Sequence, residues 1–257
     1  MKYEVLSHWD FGKNLLETGD LDPVYIGLNK LELLPEQLHQ WLLSYWCFYH
    51  AGISCQISGL ESVDFWHYLL FWASRPAAPR GIERRHFRGF AAQKAVHWLQ
   101  ETYISASEAI EDITKGATTF QQINSNVQNW PLFGPWIAFK VADMLERCAG
   151  IEIDFSNCEL EMYSEPTKGA LLIADLEDWD RNVKTVVDQL YIAYSSYKSP
   201  PTYDRPVGLQ EIETIFCKFK SHYNGHYPLG KDTRELKEML HGWGPLAERM
   251  IQACPTI

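Results

Sequence analysis

Four guanidinium groups fall within nine residues of the stretch Pro79-Arg80-Gly81-Ile82-Glu83-Arg84-Arg85-His86-Phe87-Arg88-Gly89. Arginine offers a planar fork that grips phosphate oxygens two at a time, and glycine lets backbone approach an anion closely. Arg80, Arg84, Arg85 and Arg88 are therefore candidate phosphate ligands. A helix over 83–103 would set Arg84 and Arg88 one turn apart, projecting together, with Arg85 pointing elsewhere. The competing reading pairs these side chains with the acidic segment 152–188, because surface charge runs are often structural or idle.

A second constellation runs from Trp130-Pro131-Leu132-Phe133-Gly134-Pro135-Trp136-Ile137-Ala138 to Asp154. Gly134 permits a tight turn between two helices, and Pro135 is preset for the first turn of the second. Amides exposed at such a helix start bind a phosphate oxygen, helped by the helix dipole. The run resembles the helix-hairpin-helix of DNA glycosylases, with Leu132 where a first glycine is usual and Ile137 where threonine is usual. That likeness implies DNA-backbone contact through Gly134, Trp136 and Lys140, and a catalytic aspartate at Asp154. The competing reading is an ordinary helical turn with a core tryptophan.

A third stretch, Cys217 to Asp232, alternates bases with aromatics. Lys218, Lys220, His222 and Lys231 suit phosphate contact beside base-stacking rings. His222 and His226 have the i, i+4 spacing of metal ligands, but Gly225 and Pro228 argue against the unbroken helix that spacing needs, so no metal is assigned. The run Gly230-Lys231-Asp232-Thr233 lacks the upstream glycine of a phosphate-binding loop. A fourth stretch, Ser44 to Gly52, is aromatic at helical spacing and reads most simply as core. Cys47 there has no acid or base neighbour to activate it.

The elements that must position these residues read as helices. One is begun by Pro35 and ended near Gly52, and one capped by Ser62 runs to Ser74. Others span 83–103, 107–115, 119–129, 134–150, 177–197, 208–223 and 233–242, with a short extended piece possible between Gly150 and Tyr163. The class is all-α, as one domain over 1–257, and the Pro-containing loop at 199–206 can set off a C-terminal subdomain from about 207.

Composition narrows the function. Apolar residues make up 46% of the 257, with ten tryptophans, which excludes disorder. No window resembles a membrane span or a secretory signal, so no membrane role is expected. Six scattered cysteines without a CxxC pair point to free thiols in a reducing cytoplasm. The net charge of −10 argues against a protein that coats nucleic acid nonspecifically, yet the charge is segregated. Arg75–Lys94 carries six Lys/Arg against one acid, and 216–237 carries five against two, while 152–188 holds ten acids and three bases.

Taken together, Tyr45–Gly52, Pro79–Gly89, Trp130–Arg147 with Asp154-Phe155, and Cys217–Asp232 resemble the phage amino acid:DNA transferases. These are also called α-glutamyl/putrescinyl thymine pyrophosphorylases. The likeness covers roughly 20–245. It implies a DNA-glycosylase-like helical fold working on double-stranded DNA in the infected host's cytoplasm. The implied reaction replaces phosphate or pyrophosphate on 5-hydroxymethyluracil with an amine, giving a hypermodified thymine. Arg80, Arg84, Arg85 and Arg88 would then stabilise the leaving anion. Asp154, followed by Asp143 and His86, would take the amine proton. No cofactor is required, though magnesium can escort pyrophosphate. The rival readings are a base-excising glycosylase and a noncatalytic DNA-binding module; the tight Arg/Gly cluster suits one demanding site better than a long tract of backbone.

Overall fold

A computed structural model describes residues 3–256. The regular elements among them are helical: α1 (His8–Thr18), α2 (Pro23–Asn29), α3 (Pro35–Phe48), α4 (Ala51–Ile57), α5 (Ser62–Ser74), α6 (Gly89–Thr102), α7 (Ala106–Thr114), α8 (Phe120–Val127), α9 (Pro135–Ala149), α10 (Ser164–Glu177), α11 (Val183–Ala193), α12 (Leu209–Tyr223), α13 (Lys231–Leu240) and α14 (Pro245–Ala253), with 3-10 turns at Ile82–Arg84 and Leu160–Met162. Extended pairing is confined to two isolated bridges, Thr119 with Asp154 and Lys198 with Pro206. The all-α expectation holds. Among the described residues no helix is long and apolar enough to cross a membrane.

Several boundaries differ from the sequence expectation, each for a local reason. The helix begun by Pro35 breaks at Tyr49, which adopts φ 52, and His50 then starts a new helix by accepting a hydrogen bond on Nδ1 from the Ile53 amide. α5 has the expected span, but its capping position is Glu61 rather than Ser62. The helix expected from residue 83 starts at Gly89, so Arg84 and Arg88 do not share a helical face. Asp178 at φ 56 ends α10 where the sequence pattern had begun a helix at 177.

The chain forms two compact units. One comprises the described residues of Met1–Asn29, Cys158–Leu236 and Cys254–Ile257, and the other is Lys30–Asn157 with Lys237–Ala253. No boundary falls near 207; residues 207–236 belong to the same unit as the N-terminal helices. In that first unit α12 packs against α1, α10 and α11. Contact with α10 is close enough that a Cβ on Gly169 would lie 2.2 Å from the Phe216 carbonyl oxygen. His222 stacks on Phe11 and accepts on Nε2 from the Leu6 amide, which leaves Nδ1 to donate to the Tyr227 carbonyl. In the second unit α3 lies against α4, α7 and α9, with α8 on α9 and α5 on α6. Its core holds Trp41, Trp46, Phe48, Phe87, Trp130 and Phe139, all essentially without solvent contact.

Each unit buries a histidine that burial keeps neutral. His8 and His50 are both pushed down to about 4 from the usual imidazole range. For His8 the opposing attraction of Asp10, with the Glu177 carboxylate 3.6 Å away, is outweighed by burial. Because the unfolded state binds a proton at higher pH than the folded state, stability rises with pH here. It is fully present above roughly pH 6.5 and falls as the pH drops toward 4, by at most about 1.4 kcal/mol per pH unit for each histidine. Urea midpoints between pH 7 and pH 4 should show this slope, and His8→Phe should flatten it. An unchanged slope in that variant removes His8 as a source.

Candidate functional site

In the second unit the arginine loop, the end of α3 and the turn between α8 and α9 meet. The last carbonyls of α3 receive the arginine loop: Phe48 O accepts from the Gly81 amide at 2.9 Å and Cys47 O accepts from Arg84 Nε at 3.1 Å. A Cβ on Gly81 would sit 2.9 Å from Tyr49 Cβ, so only glycine lets the loop lie this close. Arg84 Nη1 then donates to Leu132 O at 2.8 Å, in the turn between α8 and α9. Its guanidinium lies 4.7 Å from the Phe87 ring centroid and 4.8 Å from that of Phe133. Burial lowers its pKa to about 10, which still leaves it charged at neutral pH.

Arg84 is thus a bracket, not a rim cation. At 1% exposure, with Nε and Nη1 donating to the Cys47 and Leu132 carbonyls, it does not stand beside exposed Arg88 as the expected Arg84/Arg88 phosphate grip requires. The other three arginines stand differently. Arg85 and Arg88 are exposed, Arg85 donating to Ile82 O at 3.2 Å and Arg88 occupying the capping position of α6 without a side-chain cap bond. Arg80 reaches back to the Pro76 and Arg75 carbonyls. Partial burial, and then the charge of Arg88, lower its pKa. Two guanidiniums that repel one another are a place where an anion is welcome.

The turn between α8 and α9 also redistributes the glycine logic. Gly134 is extended (φ −89, ψ −177), a conformation open to any residue, and a Cβ there would meet nothing within 4 Å. The left-handed position is Leu132, at φ 66. That strain is held by Arg84 and by His86, which bonds to the Leu132 backbone. α9 starts with no side-chain cap and no acid in its first turn, and Trp136 at that start meets Tyr49 edge-on at 5.2 Å between ring centroids.

His86 is exposed, with Nε2 3.4 Å from Arg84 Nη1. Partial burial and the Arg84 charge lower its pKa, so it is neutral at pH 7. Asp143 is fully buried between Arg147 at 3.4 Å and Lys140 at 3.8 Å. That internal cluster corrects two expectations, Asp143 as proton acceptor and Lys140 as DNA contact. Asp154 is exposed. Its carboxylate accepts from the Ser156 amide at 2.8 Å and from Ser156 Oγ at 2.9 Å, which holds its pKa below the usual carboxylate value. Its backbone pairs with Thr118 and Phe120, at the start of α8. The eight residues of α8 rise about 12 Å from there to the turn, so Asp154 is not at the turn end where the sequence spacing placed it.

The basic stretch of the first unit is largely engaged internally. Lys218 donates to the Asp20 and Leu21 carbonyls and pairs with Asp232 at 2.6 Å. Lys220 pairs with Glu165, and Lys231 lies 3.7 Å from Glu235. His222 is 1% exposed. Lys218 and His222 are therefore framework, which corrects their reading as a stacking and phosphate platform. Among the described residues no group of three or more His, Cys, Asp or Glu side chains could hold a metal ion. Sequence reasoning also passed over Phe90, 71% exposed beside the arginine loop, and Glu83, whose carboxylate folds back over Gly81. An apolar residue one step beyond a glycine at a helix start was the available signal for Phe90.

Comparison with known proteins adds the chemistry class. Residues 16–226 match the family described as amino acid:DNA transferase. A glycinyltransferase of Pseudomonas phage PaMx11 is 38% identical, over 99% of this chain and 98% of that protein. A putrescinyltransferase of Delftia phage PhiW-14 is 26% identical, over 96% of this chain and 83% of the relative. With a match over most of its length and a full-length relative well above 30% identity, this chain belongs to the amino acid:DNA transferase family.

Proposed function

We propose that the protein replaces the phosphate or pyrophosphate on phosphorylated 5-hydroxymethyluracil in double-stranded DNA with a primary amine. The observation that carries this reading is the arginine loop bracketed onto the α8–α9 turn by Arg84, leaving Arg85 and Arg88 outward on a rim with a neutral imidazole. In the reaction the amine nitrogen bonds to the C5 methylene carbon and the carbon–oxygen bond to the leaving group breaks. The oxygen keeps the electron pair as charge that the rim arginines stabilise, and the ammonium proton passes to a base. A base inside a duplex must be turned out of the stack before an amine can reach it. The α8–turn–α9 pair serves as a helix-hairpin-helix on a DNA-glycosylase-like fold, its open α9 amides meeting a backbone phosphate. The relatives named for glycinyl and putrescinyl transfer support an amine as the second substrate. Absence of disulfides among the described cysteines suits a host cytoplasm.

The test is incubation with DNA carrying phosphorylated 5-hydroxymethyluracil and a mixture of amines, followed by nucleoside mass spectrometry. An amine-bearing thymine is expected. Release of free base would instead make it a glycosylase.

His86 is assigned the proton, because a neutral imidazole accepts one at pH 7 and a carboxylate held below its usual pKa accepts one poorly. Asp154, at the other end of α8 from His86, takes no part in that proton transfer. His86→Asn should lower kcat by about 10²-fold and remove the loss of rate on acidification below roughly pH 6.5. Asp154→Asn should leave kcat within a few fold. The opposite pattern, with transfer abolished by Asp154→Asn and near normal in His86→Asn, returns the base to Asp154.

A further inference from the structure

Of the chain's twelve phenylalanines, Phe90 alone stands among the exposed large apolar side chains of the described residues, at 71%. Its neighbours are not what an idle surface ring would have. It is the second residue of α6, so the helix fixes its direction, and the preceding residues are Arg88 at the cap and Gly89 at φ 60 with open space around it. Lys94 Nζ lies 4.6 Å from the ring centroid and covers one face with a cation. Ile82, in the same loop, is 72% exposed. An apolar ring on a rigid element, with Lys94 over one face and exposed Arg88 two residues before it, matches a polyanion that also has an apolar interior. A base stack behind a phosphate backbone is that surface; an acidic protein face would satisfy the cations and leave the ring unused.

We propose that Phe90 is the wedge that enters the base stack of duplex DNA and takes the place of the target base when that base is turned out. This rests on the reading of the protein as a transferase acting on a base in DNA. Proteins that deform DNA insert such rings between base steps, and turning out a base costs unstacking energy that the inserted ring recovers in part. The wedge matters only where there is a stack to open, so its loss is selective for duplex substrate.

The experiment compares the full-length protein with Phe90→Ala and Phe90→Leu on the same modified base in three settings. These are a matched duplex, a duplex with an abasic site opposite the base, and a single strand. Phe90→Ala should lose about tenfold or more in kcat/KM on the matched duplex and recover to within about twofold on the other two. Phe90→Leu should keep most of the duplex rate, since apolar bulk is what the stack requires. With 2-aminopurine next to the target, the fluorescence rise on binding should be present for the parent and lost for Phe90→Ala. Equal loss in all three settings would make Phe90 part of the fold or the base pocket, and no loss in any would make it idle; either overturns the wedge while leaving the transferase reading intact. Absence of transfer by the parent on every DNA would bring down the transferase reading itself, and the wedge with it.

Discussion

Replacing Arg88 with alanine lowers kcat/KM for transfer by about 10²–10³-fold and leaves the thermal midpoint where it was, and replacing Arg84 reverses that pattern. The two residues are four apart in sequence and differ in every physical respect. Arg88 is exposed at the start of α6, with its charge felt by Arg80. Its contribution is to charge that develops on a departing phosphate. Arg88→Lys keeps the charge and loses the fork, so it should fall between the parent and the alanine variant. Arg84 Nε and Nη1 satisfy the Cys47 and Leu132 carbonyls inside the protein. Arg84→Met leaves both without that donor and frees Leu132 from the contact that holds it at φ 66. Loss of a buried charged hydrogen-bonding group of this kind costs roughly 3–5 kcal/mol, or about 10 °C in midpoint for a chain of this size. Differential scanning calorimetry alongside single-turnover transfer reads both quantities. An Arg84→Met protein that melts with the parent and fails only in transfer would move Arg84 to the anion.

The sequence showed that arginines and glycines gather at 79–89 but not which guanidinium would be spent inside. Nothing local separates Arg84 from Arg88, because the carbonyls that claim Arg84 come from residues 47 and 132. The same cause lies behind Lys218 and His222, whose partners are Asp20 and Leu6. Alternation of bases with aromatics is a surface signature only when no distant acid or carbonyl is folded onto it. The α8–α9 turn was legible because Gly134-Pro135 is a local instruction, yet the left-handed residue proved to be Leu132, where tertiary hydrogen bonds override the preference for glycine. Helices with strong capping or proline signals, such as α3 and α9, were visible at their starts. α1, α2, α10 and α14 were not, since their apolar faces are short and interrupted by Gly, Pro or charges that only packing explains.

Asp20→Asn should cost the first unit about 3–5 kcal/mol although it changes one atom. Asp20 has no solvent exposure, and its carboxylate ties the loop before α13 and the first turn of α13 to the end of α1. Oδ2 accepts from the Gly230 amide at 2.8 Å and from the Tyr227 hydroxyl at 3.1 Å; Oδ1 accepts from the Thr233 amide at 3.0 Å and from Thr233 Oγ at 2.8 Å. The hydroxyls can rotate to accept from a side-chain amide, but the two backbone N–H groups cannot. Whichever way an asparagine is turned, its NH2 faces one of them, so one buried N–H meets another and both lose their partners. The Thr233→Ala variant removes one hydroxyl donor from Oδ1 and leaves both backbone N–H groups their acceptors, and should cost only about 1 kcal/mol. Hydrogen exchange at the Gly230 and Thr233 amides should rise in Asp20→Asn before any change appears in α3 to α9, which belong to the other unit. Transfer by the variant, measured well below its midpoint, should match the parent, because Lys218 and His222 in this region are engaged with internal partners. Parental stability in Asp20→Asn would show that a water or a rearranged loop satisfies the lost donor. A folded variant that has lost DNA affinity would return Lys218 and His222 to the interface.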